Sequence, residues 1–285
     1  MNTIEDLKEY VNKRSLKIIG EILFPIQMPI LSESDFLICI RKKWVFLYLH
    51  PKGRILSFNW LKTHFTSQQL KDAKIYLSGT HRVEGDAAVG DKAKIYHFGE
   101  GRIYAAGKSV ITDYGYGKIY AGDDTSIFAF HSKRVFAKGH AFVNVYSTRP
   151  KIQAWQHSVI VADTYTTIKA HGNVHAICKN GGYMIAKDES FFEVFTYEHF
   201  GELELYNKSI AIVHGKTKAF VADEAIIKAY DECTITIEDK GIVHAYNNSK
   251  IMASCEARVY ASKSAKVSLS DSAVCKIVYL SRNEE

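Results

Sequence analysis

Proline is scarce in this chain, with only 4 in 285 residues. The composition as a whole excludes a disordered, collagen-like or disulfide-scaffold protein. Cysteine is also sparse. There are five, an odd number with no Cys-x-x-Cys pair, which points to reduced thiols and a cytoplasmic protein. Long apolar runs are missing too. The greasiest region, Phe36 to Leu49, is broken by Arg41-Lys42-Lys43, far short of the roughly 20 apolar residues that span a bilayer as a helix. The first residues, Met1-Asn2-Thr3-Ile4-Glu5-Asp6, are polar and carry no basic segment leading into an apolar one, so no secretory signal is expected. Charge of one sign hardly dominates. With 37 Lys+Arg against 31 Asp+Glu the net charge is +6, too mild to argue for nucleic acid by itself. What is plentiful is apolar residue, 47% of the chain, ample for a core that needs no metal or disulfide staple.

That apolar share is periodic. From about residue 93 the chain repeats every eight residues as small-x-Ile/Val-x-Ala-Tyr/His-Gly/Asp-x, as in Thr167-Ile168-Lys169-Ala170-His171-Gly172. Anchored on the central apolar residue, the octads fall at 95, 103, 111, 119, 127, 135 and 143. One extra residue leads to 152, 160, 168, 176, 184 and 192, and three more lead to 203, 211 and onward in eights to 275. All 23 anchors are apolar, and 20 of 23 residues two before them are Ala, Gly, Ser, Thr or Cys. Two after the anchor, 21 of 23 are apolar or Cys; the exceptions are His97 and Asp113. Three such columns spaced by two describe one face of a short strand, not a helix. Eight is even, so every octad turns the same parity inward. The fold class predicted is mainly β, a parallel β-solenoid.

The column three after the anchor sets the coil. Phe, Tyr or Trp occupy 7 of 12 sites in odd-numbered octads, such as Phe98, Tyr114, Tyr230 and Tyr246, but only 2 of 11 in even ones. A second period of 16 follows, so two octads and two strands make one coil. The solenoid is therefore expected to have two sheets, one from odd octads and one from even.

Residues beside each anchor point outward, and there the two sheets differ. The even sheet opens with cation–aromatic pairs, Arg102/Tyr104, Lys118/Tyr120 and Arg134/Phe136, followed by Lys151. Cations one coil apart could follow an anionic polymer, with aromatic rings as stacking platforms. The plainer alternative is a solvated face, with long stems covering apolar surface. On the odd sheet Val110, Phe142, Val159, Val161, Ile210, Ile212, Ile226 and Ile242 form an apolar stripe. A stripe of that kind reads as covered, by the N-terminal region or by a second copy in a homodimer or higher homo-oligomer. Strand propensity alone is the competing explanation.

Residues 1–72 do not repeat and are expected to form a small N-terminal α+β cap that hides the solenoid's end. Thr3 starts a capped helix through Leu7, Tyr10 and Val11. Phe36 to Ile40, Trp44 to Leu49 and Arg54 to Phe58, the last after Pro51-Lys52-Gly53, are predicted as strands. Residues 73–280 form the solenoid, with degenerate opening repeats anchored at Ile75 and Val83, and 281–285 a charged tail. Insertions at Ser147-Thr148-Arg149-Pro150 and Thr196 to Phe200 fall on one edge, where repeats tolerate or use loops.

Chemistry is sparse. His171 and His175 are four apart, a zinc spacing on a helix but not on a strand. No metal site and no cofactor is expected. Cys178, Cys233 and Cys275 occupy inward columns and read as small core residues. Phosphate-loop and nucleophile-elbow motifs are missing. Glu202 and Glu204 share a strand, with Glu193 on the neighbouring octad, and nothing singles out one as an acid. The octads, as in Val243-His244-Ala245-Tyr246-Asn247, resemble bacterial and phage-associated proteins with tandem octapeptide repeats, a resemblance that covers about two thirds of the chain and implies fold alone. The function expected is a non-enzymatic binding or scaffolding solenoid, self-associated through the odd sheet, with an anionic polymer or a protein on its even face. A carbohydrate-active β-helix and a self-assembling filament or coat element are the alternatives.

Overall fold

The computed structural model describes residues 3–24, 30, 32–50, 52, 54–146 and 150–277, without the side chains of 19 and 197–199. It divides into two compact units, Met1–Ile127 and Phe128–Glu285. The fold is a mainly-β parallel β-solenoid of 16-residue repeats with an N-terminal α+β region.

Strand pairing follows the octads. In the first unit Arg102–Ala105 pairs in parallel with Lys118–Ala121, Ile103 opposite Ile119. Separately, Lys94–Phe98 pairs with Val110–Asp113, Ile95 opposite Ile111. Each strand thus joins the strand two octads away, giving two rows. In the second unit Val143 faces Ile160, a step lengthened by the single extra residue. Met184 then faces Leu203 and Phe192 faces Ala211, steps lengthened by three. From there the 16-residue step resumes, with Ile227 facing Val243 and Val243 facing Val259. Residues 147–149 of the first insertion lie outside the described residues. The second is spanned by one continuous strand, Phe191–Leu205, whose register against Ile210–Val221 shifts between Thr196 and Gly201.

The inward columns explain the repeat's composition. Anchors such as Ile103, Ile160, Ile227 and Val243 are fully buried, each contributing on the order of 1.5–3 kcal/mol through removal of its side chain from water. The small column is small because neighbouring coils touch there. A Cβ on Gly182 would collide with the Thr166 carbonyl, and one on Gly101 with the Gly85 backbone. At the even-to-odd corner the backbone turns left-handed at Asp188, Asn207, Asp223 and Asp239, a conformation that Gly, Asn and Asp tolerate best. The side chain of each such residue then accepts from the coil before it. Asp188 takes the Gly172 N–H at 2.8 Å and Asp223 the Asn207 N–H at 2.8 Å. At the other corner the aromatic column stacks, Phe98 on Tyr114 at 5.3 Å, and His214, Tyr230 and Tyr246 in succession at 4.7 Å.

The N-terminal segment departs from expectation. α1 (Ile4–Ile19) is capped by Thr3 in a reciprocal box with Asp6, as the sequence suggests. The segments predicted as strands, however, are α2 (Glu33–Lys42), α3 (Trp44–Tyr48) and an irregular stretch entering α4 (Phe58–His64), followed by α5 (Ser67–Asp72). The reason is spacing. Phe36, Leu37, Ile40, Trp44, Leu47 and Tyr48 recur at threes and fours and are all buried, and Ser32 caps α2 through the Asp35 N–H. Helical period outweighs their aromatic and β-branched character. The region is α+β because the opening repeats follow the helices.

Those repeats, Ile75–Tyr76, Thr80–Glu84 and Ala87–Val89, are strands, but Ile75 and Val83 are not anchors. Ile75 aligns through Ala88 with Tyr104, an outward site, and Val83 with His97. The opening coils are shorter than 16 residues, so counting back by eights misses them. The helical core includes Ala88 and Ala106 and packs on Tyr104. Arg54 and Lys62 bond Asp123 and Asp91 at the even-to-odd corner. Within this unit the helices therefore dock on that corner and on the even sheet, and among the described residues none of these contacts is to the odd sheet's outer face.

Candidate binding site

The outward residues of the even sheet carry the charge. In the first unit Arg102 lies opposite Lys118, and Tyr104 opposite Tyr120 with their rings stacked at 5.2 Å. A side-chain hydrogen bond with Tyr104 raises the Arg102 guanidinium above its ordinary pKa, with Tyr120 and Asp86 adding to the effect. Tyr104, Lys118 and Tyr120 are all half-buried, Tyr104 against the helical core, so the exposed character of this stretch rests on Arg102.

In the second unit the sheet forms a groove. Across four neighbouring strands one outward column reads Arg134, Lys151, Thr167 and Tyr183, and the other Phe136, Gln153, Lys169 and Ile185. All of these except Ile185 line a cavity of about 460 Å³ together with Ile152. Arg134, Lys151 and Lys169 are exposed. Their strands are spaced at about 4.8 Å, so three cations share one shallow depression. No carboxylate pairs with any of the three among the described residues. Gln153 and Thr167 supply neutral donors and acceptors, and Phe136 an apolar wall.

One end of the groove reverses sign. Tyr183 donates to Glu204 at 2.7 Å, and Tyr206 donates to the other oxygen of the same carboxylate at 3.0 Å. The Tyr183 phenol is pushed up to about 12, first by that hydrogen bond and then by desolvation. Glu202 lies directly opposite Tyr183 on the next strand. The cation run that begins at Arg134 therefore stops after three coils.

Of the residues singled out from sequence, Arg134, Phe136 and Lys151 come together in this groove, while Arg102, Tyr104, Lys118 and Tyr120 form their own patch in the first unit. Lys169, Gln153 and Tyr183 were missed as groove members. The column after the even anchors carries the signal for Lys169 and Gln153 when followed past its first three members. The odd-sheet stripe is half-buried at Val110, Phe142, Val159, Val161, Ile212, Ile226 and Ile242, and exposed at Ile210. Glu193 sits on that odd sheet, 3.9 Å from His175, whereas Glu202 and Glu204 belong to the even one. The three carboxylates do not converge.

Elsewhere, polar groups and thiols are buried inside the solenoid. His97 and Asp113, the two polar exceptions in an inward column, lie one coil apart with Nδ1 and Oδ1 separated by 2.6 Å, both fully buried. Asp113 also accepts the Gly115 N–H at 2.9 Å. Burial pushes the Cys178 thiol up to about 12 and the Cys233 thiol to about 11, which keeps both protonated, as core residues rather than nucleophiles. Among the described residues no group of three or more His, Cys, Asp or Glu could hold a metal ion, and no helix is long and apolar enough to cross a membrane. Comparison with protein-family models, curated proteins and solved structures finds no match for the chain.

Proposed function

We propose that this chain is a non-catalytic, cytoplasmic binding protein that holds a short stretch of an anionic polymer in the Arg134–Lys151–Lys169 groove and self-associates through its odd sheet. The observation that carries the binding reading is the convergence of three exposed cations, none paired to a carboxylate, over one cavity. Like charges on adjacent strands repel, and an anion laid across them relieves that repulsion while releasing its own counterions. Glu202 and Glu204 limit the footprint. They repel a polyanion that continues past Tyr183, so the groove favours a segment with two or three negative groups.

Fluorescence titration with a labelled sulfated oligosaccharide and with single-stranded oligonucleotide tests this. Binding should weaken with salt at a slope of about 1.4–2.1 decades per decade of salt, as expected for two or three anionic contacts to a single strand. It should vanish in the triple variant Arg134→Glu, Lys151→Glu, Lys169→Glu. Salt-independent binding, or equal binding by the triple variant, would sink the proposal. A glycan-cleaving alternative has one observation in its favour, the Glu204 carboxylate clamped by two tyrosines at the groove's end. Glycan turnover that disappears in Glu204→Gln would establish it.

A further inference from the structure

The odd sheet of the second unit carries its own instruction for pairing. Across neighbouring strands one outward column reads Phe191, Ile210 and Ile226, and the other reads Glu193, Ile212 and Lys228. Opposite charges thus flank Ile212 symmetrically, one strand to either side, within an otherwise apolar stripe. Glu193 is about one third exposed and Lys228 is exposed. Ile210, between Phe191 and Ile226, is 39% exposed, the most open of the Ile residues in this stripe.

A face-to-face pair of identical sheets has its twofold axis in the plane between them. An axis along the Ile210–Ile212 strand reverses the strand order of the second copy and keeps its strand direction. Glu193 then lies over Lys228 of the second copy, Lys228 over its Glu193, and Phe191 over its Ile226. An axis along the stacking direction gives the opposite result. It keeps the strand order and lays Glu193 on Phe191 and Lys228 on Ile226, which sets each charge against an apolar side chain of the other copy. Sheets packed face to face stand about 10 Å apart, a gap that a Glu and a Lys bridge together. Aligned sheets cross at about 30°, and strands next to the axis are displaced least by that rotation.

We infer that two copies of this chain pack odd sheet to odd sheet about a twofold axis along the Ile210–Ile212 strand, with Glu193 of each copy paired to Lys228 of the other. The inference rests on the self-association reading above and adds its register. Each dimer contains the pair twice, so the two single charge reversals are complementary. Glu193→Lys places Lys against Lys at both pairs, and Lys228→Glu places Glu against Glu. In a mixed dimer of the two variants both pairs are restored with their signs exchanged.

Analytical ultracentrifugation of the full chain, the two variants and their equimolar mixture reads this directly, with circular dichroism to show that all are folded. The expected result is a dimer for the unaltered chain, dimerisation weakened about tenfold or more for each variant alone, and recovery in the mixture. If the unaltered chain dimerises but neither reversal weakens it, or the mixture fails to recover, the register is wrong while self-association stands. A monomer at about 100 μM for the unaltered chain, where even weak pairing at that dissociation constant populates the dimer, overturns the register and the self-association reading together. Anion binding by the even face is untouched by either outcome.

Discussion

The two outer faces of the second unit are built on the same inward scaffold and carry opposite surfaces. Behind the even face lie Ile152, Ile168 and Met184, and behind the odd face Ile160, Ile227 and Val243, all buried. In front, the even face shows Arg134, Lys151 and Lys169, and the odd face Phe191, Ile210 and Ile226. Inward residues answer to the neighbouring coil, which is alike on both sides, so they converge. Outward residues answer to whatever meets the face, and the proposed reading of two different neighbours accounts for their divergence. That argument holds for polar groups as well. Arg and Lys keep a sheet solvated anywhere, but cations gathered in one cavity beside a tyrosine-clamped carboxylate go beyond solvation.

The sharpest way to break the comparison is to exchange inward and outward roles at adjacent residues. Ile227→Ala empties a fully buried anchor site and should lower unfolding free energy by about 2–5 kcal/mol in a urea titration. A loss below 1 kcal/mol would mean the inward column is not the core described. Next in size is the corner that both faces share. Asp223→Ala loses the acceptor for the Asn207 N–H and puts Ala, which tolerates the left-handed region less well than Asp or Asn, at a φ of 57°, a cost of roughly 1–2 kcal/mol. Asp223→Asn should restore most of it, and equal stability of the Ala and Asn variants would contradict the ladder.

Ile226→Ala, one residue from the anchor at a half-buried outward site, should lower the monomer's stability by about 1 kcal/mol or less, well below Ile227→Ala, yet weaken self-association in the centrifuge. An Ile226→Ala dimer as tight as the unaltered one would show that the odd face is apolar for strand propensity alone. The smallest effect concerns the even face's end. The Tyr183 phenol, held up to about 12 chiefly by Glu204, should ionise later than ordinary tyrosine in an ultraviolet pH titration. Because its folded value lies above its unfolded one, the stabilisation it brings is complete below the ordinary tyrosine pKa and fades as pH rises through about 12. Glu204→Gln should move Tyr183 back towards the ordinary value, and an unmoved transition would count against that hydrogen bond.

The solenoid was legible because its sequence reports one environment many times. Each coil demands a small residue where backbones touch, an apolar anchor and a left-handed corner, so the phase survives both insertions, and Met184 opposite Leu203 is where the column count puts it. The N-terminal helices are each sampled once. In Phe36–Leu49 the residue types favour strand while the spacing favours helix, and only spacing reports burial on one side. Ile75 and Val83 failed as anchors because the first coils, pressed against the helices, are shorter than the rest. Half the groove was readable at Arg134, Phe136 and Lys151. Lys169 and Gln153 needed the outward column to be followed further, and the Tyr183–Glu204–Tyr206 clamp needed two strands side by side in space. His97 and Asp113 stood out as exceptions one coil apart, but their bond required the structure.

The most direct test of two faces with two separate neighbours is one titration performed on three proteins. Anisotropy of a labelled sulfated oligosaccharide should show tight, salt-sensitive binding to the unaltered chain, the same affinity for Glu193→Lys, and none for the Arg134→Glu, Lys151→Glu, Lys169→Glu variant. Binding that survives the triple reversal, or that is lost in Glu193→Lys, would contradict the division of the surface on which this account stands.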